Sequence, residues 1–274
     1  MYRYVLDCIR SHALTAMFPL TDGIVSDDEY DLMMKQLGRE EPILMPAREF
    51  HTLTEKRVQG TEALVCVLAT RSFSNKSVLI LPNSDDVFEH GLKMTSLDWN
   101  DKKPMIVWRG GSSGLYRPSN RMLVVERLCN NPVANVRFVN GGLPVNDSII
   151  PAHHFGGPLS PEEQSTYKYI LNLDGNSIAS SIQWTFASGS VPVIITHPGS
   201  SWWFHSELKP MLNYVPIAYD LSDLDEKIEW LIANDEAARL IAENARALAD
   251  RIFTPEFQRN YISNCIRQMS SQDH

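Results

Sequence analysis

The segment IVWRGGSSGLYRPSNR, residues 106–121, contains residue types whose spacing suggests chemistry. An apolar run typical of a β-strand ends at Arg109, and the loop Gly110-Gly111-Ser112-Ser113-Gly114 follows it. The backbone N–H groups of a glycine-rich loop between a strand and a helix can bind a phosphate. The same letters also match G-x-S-x-G, the turn that presents a nucleophilic serine, here Ser112. The loop therefore predicts either anion binding or nucleophilic catalysis.

Two arginines after the loop favour anion binding. Arg117 and Arg121 lie four residues apart at the predicted start of a helix, so they share one helix face. Two cations on one face can bind a diphosphate. A nucleophilic serine needs an acid and a histidine, for which Asp174 and His197 are available, but no HGG-type oxyanion segment precedes the loop. We expect the loop to hold an anion; a tight turn with solvated arginines is the remaining alternative.

A second loop of similar composition follows a later strand run. Asp174-Gly175-Asn176 ends the apolar run YKYILNL, and hydroxyl residues that include Ser180 and Ser181 open the next predicted helix. Glycine and small hydroxyl side chains at a helix start allow a phosphate or a ribose to approach the backbone closely. A plain turn between a strand and a helix requires the same residue types, so both interpretations stay open.

The acidic and histidine residues do not predict a metal site. Asp223-Leu224-Asp225 has D-x-D spacing, but it lies where a helix begins, and there carboxylates cap the helix. His153-His154 and His197 lack a second ligand at the spacing of a zinc site. The sequence therefore predicts that no metal is bound.

Composition and charge exclude several classes of protein. The chain has 274 residues, of which 43% are hydrophobic and 21% charged, and its formal net charge is −8. This charge is unfavourable for binding nucleic acid or an anionic membrane, because both require a basic surface. No window approaches the roughly 20 apolar residues that a membrane span requires.

The segment MYRYVLDCIRSHAL at the N-terminus is charged and amphipathic, so it predicts a helix rather than a secretory signal. The four cysteines are widely spaced and form no C-x-x-C pair. This pattern is typical of reduced thiols, so we expect a cytoplasmic protein.

The elements that must position the two loops alternate regularly from residue 104 onward. The predicted strands are MIVW, NVRFV, YKYILNL, VPVIIT and YVPIAY, and helix-like stretches begin near Arg117, Ser160, Asn176, Ser200 and Asp223. Such alternation predicts βαβ units and a parallel, doubly wound sheet. Ligands bind these sheets outside the carboxyl ends of the strands, where both glycine loops lie.

The first hundred residues mix predicted helices and strands. SDDEYDLMMKQL and GTEALVCVLATR are predicted helices, and KSVLIL is a predicted strand. We place a domain boundary near Lys103, so that residues 1–103 form one α/β domain and residues 104–255 a second. Asn234-Asp235 separates two helices near the end of the second domain, and residues 256–274 are expected to pack back on the first.

Several blocks of the chain, taken together and in order, resemble one family. The blocks are VWRGGSSG, YKYILNLDGNSIASSIQW, SGSVPVI and SELKPMLNYVPIAYDLSDLDEKIEWLIANDEAARLIAENA. They are similar to the CAP10-type glycosyltransferases, glycosyltransferase family 90, which include protein O-glucosyltransferases and capsular and viral xylosyltransferases. The resemblance implies an α/β, B-type glycosyltransferase fold of two Rossmann-like domains. In that fold the C-terminal domain binds a UDP-sugar and the N-terminal domain supplies the acceptor site.

The resemblance further implies an inverting glycosyltransferase that needs no metal or other cofactor. UDP-xylose or UDP-glucose would be the donor, and a hydroxyl of a glycan or glycolipid the acceptor. The leaving UDP is negatively charged, and arginines with helix N-termini can stabilise it in place of a metal. The expected donor-binding residues are Arg109, Gly110, Ser112, Ser113, Gly114, Arg117, Arg121, Asp174, Gly175, Asn176, Ser180, Ser181 and Gln183.

The resemblance also implies a catalytic base, which in this family is an aspartate just after a strand of the first domain. VLILPNSDD has that context, which gives Asp85 as the first choice and Asp86 as the second. An inverting transfer needs such a carboxylate to take the proton of the acceptor hydroxyl. Alternatively, both acids simply open the helix-like DVFEHGLKM.

One position departs from the family pattern. Many members carry an arginine shortly after the serines of the second loop, where this chain has Gln183. An amide can donate a hydrogen bond to a phosphate but brings no charge, which leaves more of the stabilisation to Arg117. The departure motivates a second hypothesis, a non-catalytic nucleotide-sugar-binding homologue that acts as a partner subunit. A serine hydrolase with Ser112 as its nucleophile is the third.

Overall fold

The computed structural model describes residues 1–10, 15–17, 23–37, 44–49, 63–67, 69–71, 78–82, 84–115, 121–140, 147–175 and 178–271. The chain divides into two compact units. The first consists of Met1–Gly91, Gly199–Ser206 and Arg251–His274, and the second of Leu92–Pro198 and Glu207–Asp250. The sequence predicts a division near Lys103, with residues 256–274 packing back on the first domain. In the structure the first stretch of the first unit ends at Gly91, and its C-terminal stretch begins at Arg251.

The strands in chain order are β1 (Thr15–Met17), β2 (Gly23–Val25), β3 (Leu44–Pro46), β4 (Ala63–Val67), β5 (Ala69–Arg71), β6 (Val78–Ile80), β7 (Lys103–Gly110), β8 (Ala134–Phe138), β9 (Tyr167–Leu173), β10 (Val191–Ile195), β11 (Ser200–Ser201) and β12 (Val215–Pro216). The α-helices are α1 (Tyr2–Arg10), α2 (Asp27–Leu37), α3 (Asp85–His90), α4 (Arg121–Leu128), α5 (Pro161–Gln164), α6 (Ile182–Ala187), α7 (Leu224–Ala233), α8 (Asp235–Ile252) and α9 (Pro255–Ser271). Short 3₁₀ helices lie at Trp99–Asp101, Ala152–His154 and His205–Glu207.

The second unit contains a parallel sheet of five strands in the order β12-β10-β9-β7-β8. This order is that of a doubly wound fold, in which the direction of winding reverses between β7 and β9. All seven residues of β9 are buried, as expected for a central strand that helices cover on both faces. The topology therefore creates a switch point at the carboxyl ends of β7 and β9.

A buried lysine ties the amino ends of three of these strands together. Lys102 is 3% exposed, and its Nζ donates to the backbone oxygens of Ser165 (2.5 Å) and Ser188 (3.1 Å) and to Oγ of Ser190 (3.1 Å). Burial lowers the pKa of Lys102 to about 8, and the charge of Arg246 acts in the same direction. Because these acceptors flank β9 and β10, the side chain fixes both strands against β7.

The first unit has shorter strands in the residues that the structure describes. Its strands form a parallel sheet in the order β1-β4-β6 and a mixed sheet in the order β11-β5-β2-β3, in which β11 runs antiparallel to β5. Residues from α1, α3 and α9 pack with the first sheet, and the buried cluster consists of Val5, Ile9, Cys66, Leu79, Leu81, Phe88, Ile262 and Ile266.

Most of the predicted elements are confirmed. The five apolar runs of the second unit form β7, β8, β9, β10 and β12, and helices begin next to Ser160 and Asp223. Asn234 separates α7 from α8, and the two predicted N-terminal helices are α1 and α2. None of the described helices combines the length and the apolar character that crossing a membrane requires.

Two predictions of secondary structure are wrong. GTEALVCVLATR contains β4 and β5 rather than a helix, because its apolar centre lies between β1 and β6 in a parallel sheet. A short, continuous apolar run does not distinguish a buried strand from a buried helix. No helix begins at Ser200, which instead pairs with Arg71 in an antiparallel bridge between β11 and β5.

Candidate functional site

The loops after β7 and β9 meet at the switch point of the second unit, and they fit together through two glycines. Gly114 has φ +74°, and a Cβ there would lie 2.5 Å from the backbone oxygen of Gly175. A Cβ on Gly175 would in turn lie 2.6 Å from Oγ of Ser113 and 3.0 Å from Nη2 of Arg121. The two backbones approach so closely that a side chain at either position displaces the other loop.

Arg121, the first residue of α4, holds the two loops together. Its Nη1 donates to the backbone oxygen of Gly111 and to Oγ of Ser113, both at 2.8 Å, and its Nη2 donates to the backbone oxygen of Leu173 at 3.0 Å. Its guanidinium carbon lies 5.4 Å from the centre of the Trp108 ring. One side chain therefore connects the loop after β7 with the end of β9.

The guanidinium of Arg121 is a buried cation whose hydrogen-bond acceptors among the described residues are all neutral. Burial lowers its pKa to about 10, and the charge of Asp174 partly offsets that effect. Its Nε is buried and finds no hydrogen-bond partner among the described residues. The group stays charged at neutral pH, so the switch point carries a buried positive charge on which the Asp174 carboxylate acts, and such a charge favours an anion.

Three donors of the first loop remain for a ligand. Ser113 accepts a hydrogen bond from Arg121, so its own hydroxyl proton is left to donate. Within the described residues, the backbone N–H groups of Gly111 and Ser113 have no protein acceptor. Backbone N–H groups and a hydroxyl next to a buried cation are the groups that bind a phosphate in proteins.

Ser112 has a different environment from Ser113. It is fully buried, and its hydroxyl donates to the carboxylate of Asp147. The Asp174 carboxylate accepts from the Thr196 hydroxyl at 2.6 Å and from the backbone N–H of His197 at 3.4 Å. The nucleophile hypothesis needs an imidazole on the Ser112 hydroxyl, and that hydroxyl donates to a carboxylate instead.

Arg109 points towards β8 rather than into the loop that follows it. Its guanidinium donates to the backbone oxygens of Trp108, Asn135 and Gly157 and to Oδ1 of Asn135, at 2.8–2.9 Å. Burial lowers the pKa of Arg109. Its donors are therefore engaged in fixing the β7–β8 pair, in contrast to those of the loop itself.

The second loop leads to α6, where the predicted donor-binding residues have three different environments. Ser180 is exposed, whereas Ser181 donates to Oδ1 of Asn172 at 2.9 Å, an oxygen that also accepts from Thr185 at 3.2 Å. Gln183 is 5% exposed, and its Nε2 is buried without a hydrogen-bond partner among the described residues. The amide of Gln183 is thus an unsatisfied donor within the described part of this helix.

Arg117 and Asn176, both predicted to bind the donor, lie outside the described residues. Among the described members of that set, the structure brings Ser113, Gly114, Arg121 and Gly175 into direct contact. Arg109 contacts β8 and the backbone of Gly157 instead.

Asp85 and Asp86 lie in the first turn of α3, in the first unit, after the N-cap residue Ser84. The Asp85 side chain is 62% exposed, and the N-terminal ammonium group lies 3.8 Å from its Oδ1. Asp86 is 84% exposed and 3.1 Å from Nδ1 of His90. Both acids therefore follow a strand, as expected for the base, and both also occupy the helix start, as in the alternative interpretation.

The D-x-D pair and the adjacent histidines also have defined contacts. Asp223 accepts from the backbone N–H of Ala218 at 2.7 Å, and Asp225 pairs with Arg127. The fold brings Cys129 next to His153 and His154, with one ligand atom of each within 4.8 Å of the others. Spacing along the sequence did not reveal this group, because its cysteine and its histidines belong to separate segments.

The sequence did not identify three residues whose side chains contact the two loops or the start of α6, namely Asn172, Thr196 and Asp147. Asn172 is a buried amide, the last residue but one of β9, and Thr196 follows β10 and donates to Asp174. A polar residue inside an otherwise apolar strand run is the signal that could have identified Asn172. Asp147 follows a segment with no periodic pattern, and nothing in its sequence context indicated a contact with Ser112.

Comparison with known proteins connects this geometry to one family. The sequence model described as glycosyl transferase family 90 matches residues 78–271. The chain is 30% identical over 197 residues to Uncharacterized protein 179R of Invertebrate iridescent virus 6, across 61% of this chain and 17% of that protein. It is 28% identical over 182 residues to O-glucosyltransferase LpsA of Dichelobacter nodosus, across 66% of this chain and 54% of that protein. The chain thus spans about half or less of the length of these relatives.

Among solved structures, HepE of Anabaena in complex with UDP-glucose is similar, with a TM-score of 0.54 and 12% sequence identity across 90% of this chain and 79% of that chain. This likeness concerns the fold, and it confirms the predicted α/β, B-type glycosyltransferase class.

Proposed function

Because this chain belongs to glycosyl transferase family 90, we propose that it transfers a sugar from a UDP-sugar to a hydroxyl group of a glycan or glycolipid. Xylose and glucose are the sugars proposed for the donor. The transfer inverts the anomeric carbon and needs no metal. The proposal is supported by the match over residues 78–271 together with the geometry of the switch point.

The observation that carries the proposal is the buried guanidinium of Arg121 at the switch point. Sugar transfer breaks the bond between the anomeric carbon and the diphosphate, so negative charge develops on the leaving UDP. Arg121 supplies positive charge through the loop that it holds, while Ser113 and the backbone N–H groups of Gly111 and Ser113 supply donors. Preorganised donors next to a buried charge stabilise such a leaving group without a metal ion.

In the proposed inverting step, the acceptor oxygen attacks the anomeric carbon from the side opposite the diphosphate. One carbon–oxygen bond forms as the other breaks, and the proton of the acceptor hydroxyl passes to the Asp85 carboxylate. Asp86 is the second choice for this base. The high exposure of Asp85 leaves its carboxylate accessible to an acceptor.

The donor-binding residues that we propose divide by their contacts. The donor contacts the side chains of Ser113, Ser180 and Gln183 and the described backbone of residues 110–114 and 175. Arg117 and Asn176 remain proposed from the sequence. Arg109, Ser112, Asp174 and Ser181 donate to or accept from protein groups, so we assign them to holding the loops in place. Arg121 combines both roles.

A second candidate is a nucleotide-sugar-binding homologue without turnover, which pairs with another subunit. The observation that favours it is Gln183, an uncharged and unsatisfied amide where family members carry an arginine. We also infer a cytosol-like compartment, since all four cysteines are described and each is a free thiol.

The experiment is to incubate the chain with UDP-xylose or UDP-glucose and a panel of glycan acceptors, with and without EDTA, and to measure UDP release. The proposal predicts acceptor-dependent release that EDTA leaves unchanged. Release that EDTA abolishes and manganese restores contradicts the metal-independent mechanism. UDP binding without release from any acceptor favours the non-catalytic homologue, and hydrolysis of p-nitrophenyl esters revives the nucleophile hypothesis.

A further inference from the structure

Three potential metal ligands meet in the second unit, outside the switch point. Cys129 follows the last residue of α4, and His153 and His154 end the 3₁₀ helix Ala152–His154. Sγ of the cysteine and one ring nitrogen of each histidine all lie within 4.8 Å of one another. The two imidazole rings have centroids 4.3 Å apart and an angle of 68° between their planes.

Burial within this group leaves one ring nitrogen unsatisfied. Cys129 is 5% exposed and His154 is 4% exposed. Nδ1 of His154 is buried and has no hydrogen-bond partner in the described part of the chain. A buried polar atom without a partner destabilises a fold, so native proteins seldom leave one without a ligand, an ion or a water molecule.

We propose that Cys129, His153 and His154 bind a zinc ion through Sγ and one ring nitrogen of each histidine. Thiolate and imidazole are the ligands that zinc prefers, at about 2.0–2.3 Å from the metal. A tetrahedral ion at those distances separates its ligand atoms by about 3.5 Å, so any pair of ligand atoms near the present limit of 4.8 Å must move closer together. His153 is exposed, and its side chain is therefore free to make that adjustment and leaves an entry path for the ion.

Water completes the fourth position of the proposed site. Glu126 lies one turn before Cys129, and its backbone oxygen accepts from the Cys129 thiol at 3.8 Å. When zinc binds, the thiol loses its proton to solvent and the metal–sulfur bond replaces this weak hydrogen bond.

The proposed zinc ion lies too far from the switch point to contact a leaving diphosphate. Arg121 begins α4 at the switch point and Cys129 follows its other end, and a helix of that length spans about 12 Å. The ion would tie the end of α4 to the segment that enters the isolated bridge between Phe155 and Phe138. Its binding is therefore independent of the proposed sugar transfer.

The test uses Co²⁺ as a spectroscopic probe on the full chain after treatment with a chelator. We expect one equivalent of Co²⁺ to produce thiolate-to-cobalt charge-transfer absorption together with the visible bands of a tetrahedral ion, and Zn²⁺ to remove both. Cys129→Ser should abolish the charge-transfer band. Cys265→Ser, a half-buried cysteine of the first unit, is the matched control and should keep it.

His153→Asn provides a variant that should fold, since the residue is exposed, and it should weaken Co²⁺ binding at least about tenfold. His90→Asn replaces an exposed histidine of the first unit and should leave binding unchanged. The proposal is contradicted if Co²⁺ gives no charge-transfer band, if Cys129→Ser retains it, or if His153→Asn and His90→Asn behave alike. UDP release should not differ between Cys129→Ser and the parent chain below the unfolding temperature, so a failed zinc site leaves the proposed transfer standing.

Discussion

The two units of this chain belong to one fold class but present their polar groups in opposite ways. In the second unit, strands of up to eight residues form a five-stranded parallel sheet, and buried groups such as Arg121 and Lys102 are fixed by several hydrogen bonds. In the described part of the first unit, strands have two to five residues, and the candidate base lies exposed at a helix start.

This difference indicates which unit supplies each group of the proposed reaction. A buried cation needs a rigid surrounding that offers its donors acceptors, and the long strands of the second unit supply the carboxyl ends that do so. A general base needs only access to the acceptor hydroxyl, and an exposed carboxylate on a short helix provides that. We therefore expect changes in the second unit to alter donor binding, and a change of Asp85 to alter transfer alone.

The largest effect is expected for Asp85→Asn, which keeps the size of the side chain but removes its basicity. General-base catalysis typically contributes about 10²- to 10⁴-fold, so UDP release with an acceptor should fall at least about a hundredfold. UDP affinity, measured by calorimetry, should change by less than about 1 kcal/mol, because Asp85 and the switch point belong to different units.

Asp86→Asn is the matched control for that variant and should behave as a mild surface change. If Asp86→Asn is the inactive variant, the second choice is the base. If both variants keep full activity, neither acid is the base, and the proposal that the first unit supplies the general base is contradicted.

The next effect concerns the close approach of the two loops, which Gly114→Ala disrupts. A positive φ disfavours alanine by about 1–2 kcal/mol, and a Cβ 2.5 Å from the Gly175 oxygen adds about 1–3 kcal/mol of overpacking. We expect the free energy of unfolding to fall by about 3 kcal/mol and UDP to bind at least about tenfold more weakly, as measured by denaturation and calorimetry.

Gly157→Ala is the control for this substitution, since a Cβ on Gly157 meets nothing within 4 Å. It should change neither stability nor UDP affinity. Equal UDP affinity in Gly114→Ala and Gly157→Ala contradicts a donor site at the junction of the two loops.

A pH dependence should arise from the buried lysine at the other end of the same sheet. The folded pKa of Lys102 is about 8, below its usual value of 10.5, so between these values the unfolded chain holds a proton that the folded chain has lost. Stability therefore rises with pH across this window, by up to about 3 kcal/mol. Denaturation at pH 8 and pH 10 should show the rise in the parent chain and lose it in Lys102→Met.

Lys103→Met is the control at the neighbouring, exposed lysine and should retain the rise with pH. Comparing the variants removes the contribution of groups common to all three chains. An unchanged rise in Lys102→Met means that this amine does not carry the burial cost that we assign to it.

The smallest effect is expected for Gln183→Leu, and its direction is diagnostic. Because Nε2 of Gln183 has no hydrogen-bond partner among the described residues, its removal should leave stability unchanged or slightly higher. Removing the hydrogen bond that this amide donates to the bound nucleotide should weaken UDP binding by about 1 kcal/mol. Thermal unfolding and calorimetry measure the two quantities.

Thr185→Val, two residues along the same helix, should show the opposite pattern. Its hydroxyl shares one proton between the backbone oxygen of Ser181 at 2.9 Å and Oδ1 of Asn172 at 3.2 Å, so its loss lowers stability and leaves UDP affinity unchanged. If Gln183→Leu also lowers stability without affecting UDP binding, the amide is a structural group and does not contact the donor.

The fold of the second unit was largely predictable because each of its central strands is an apolar run bounded by turn residues. YKYILNL and VPVIIT are long enough, and flanked clearly enough, to identify β9 and β10. The same reasoning predicted a helix for GTEALVCVLATR, which contains β4 and β5. An apolar run of that length is compatible with a helix or a strand until its neighbours in the sheet are known.

The composition of the site was predictable, but the division of roles within it was not. Glycines, serines and arginines at the end of β7 and after it indicated an anion-binding loop, yet the sequence did not distinguish the role of Arg109, directly before that loop, from the role of Arg121, seven residues after it. Their roles differ because Arg109 belongs to β7 and donates to Asn135 on the neighbouring strand, whereas Arg121 is the first residue of α4 and donates to the backbone oxygen of Gly111. The spacing of residues along the sequence does not indicate the direction in which each arginine side chain points. It also does not indicate that Cys129 lies next to His153 and His154.

The most direct test of the central claim is amide hydrogen exchange with and without UDP. Binding at about one hundred times Kd stabilises the contacted region by about 2.7 kcal/mol, so exchange should slow in peptides that cover Gly110–Leu115 and Asp174–Gln183. Peptides that cover Ser84–Gly91, where Asp85 lies, should exchange at the same rate in both samples. Slowed exchange confined to Ser84–Gly91, with no change at the two loops, would contradict the assignment of donor binding to the switch point of the second unit.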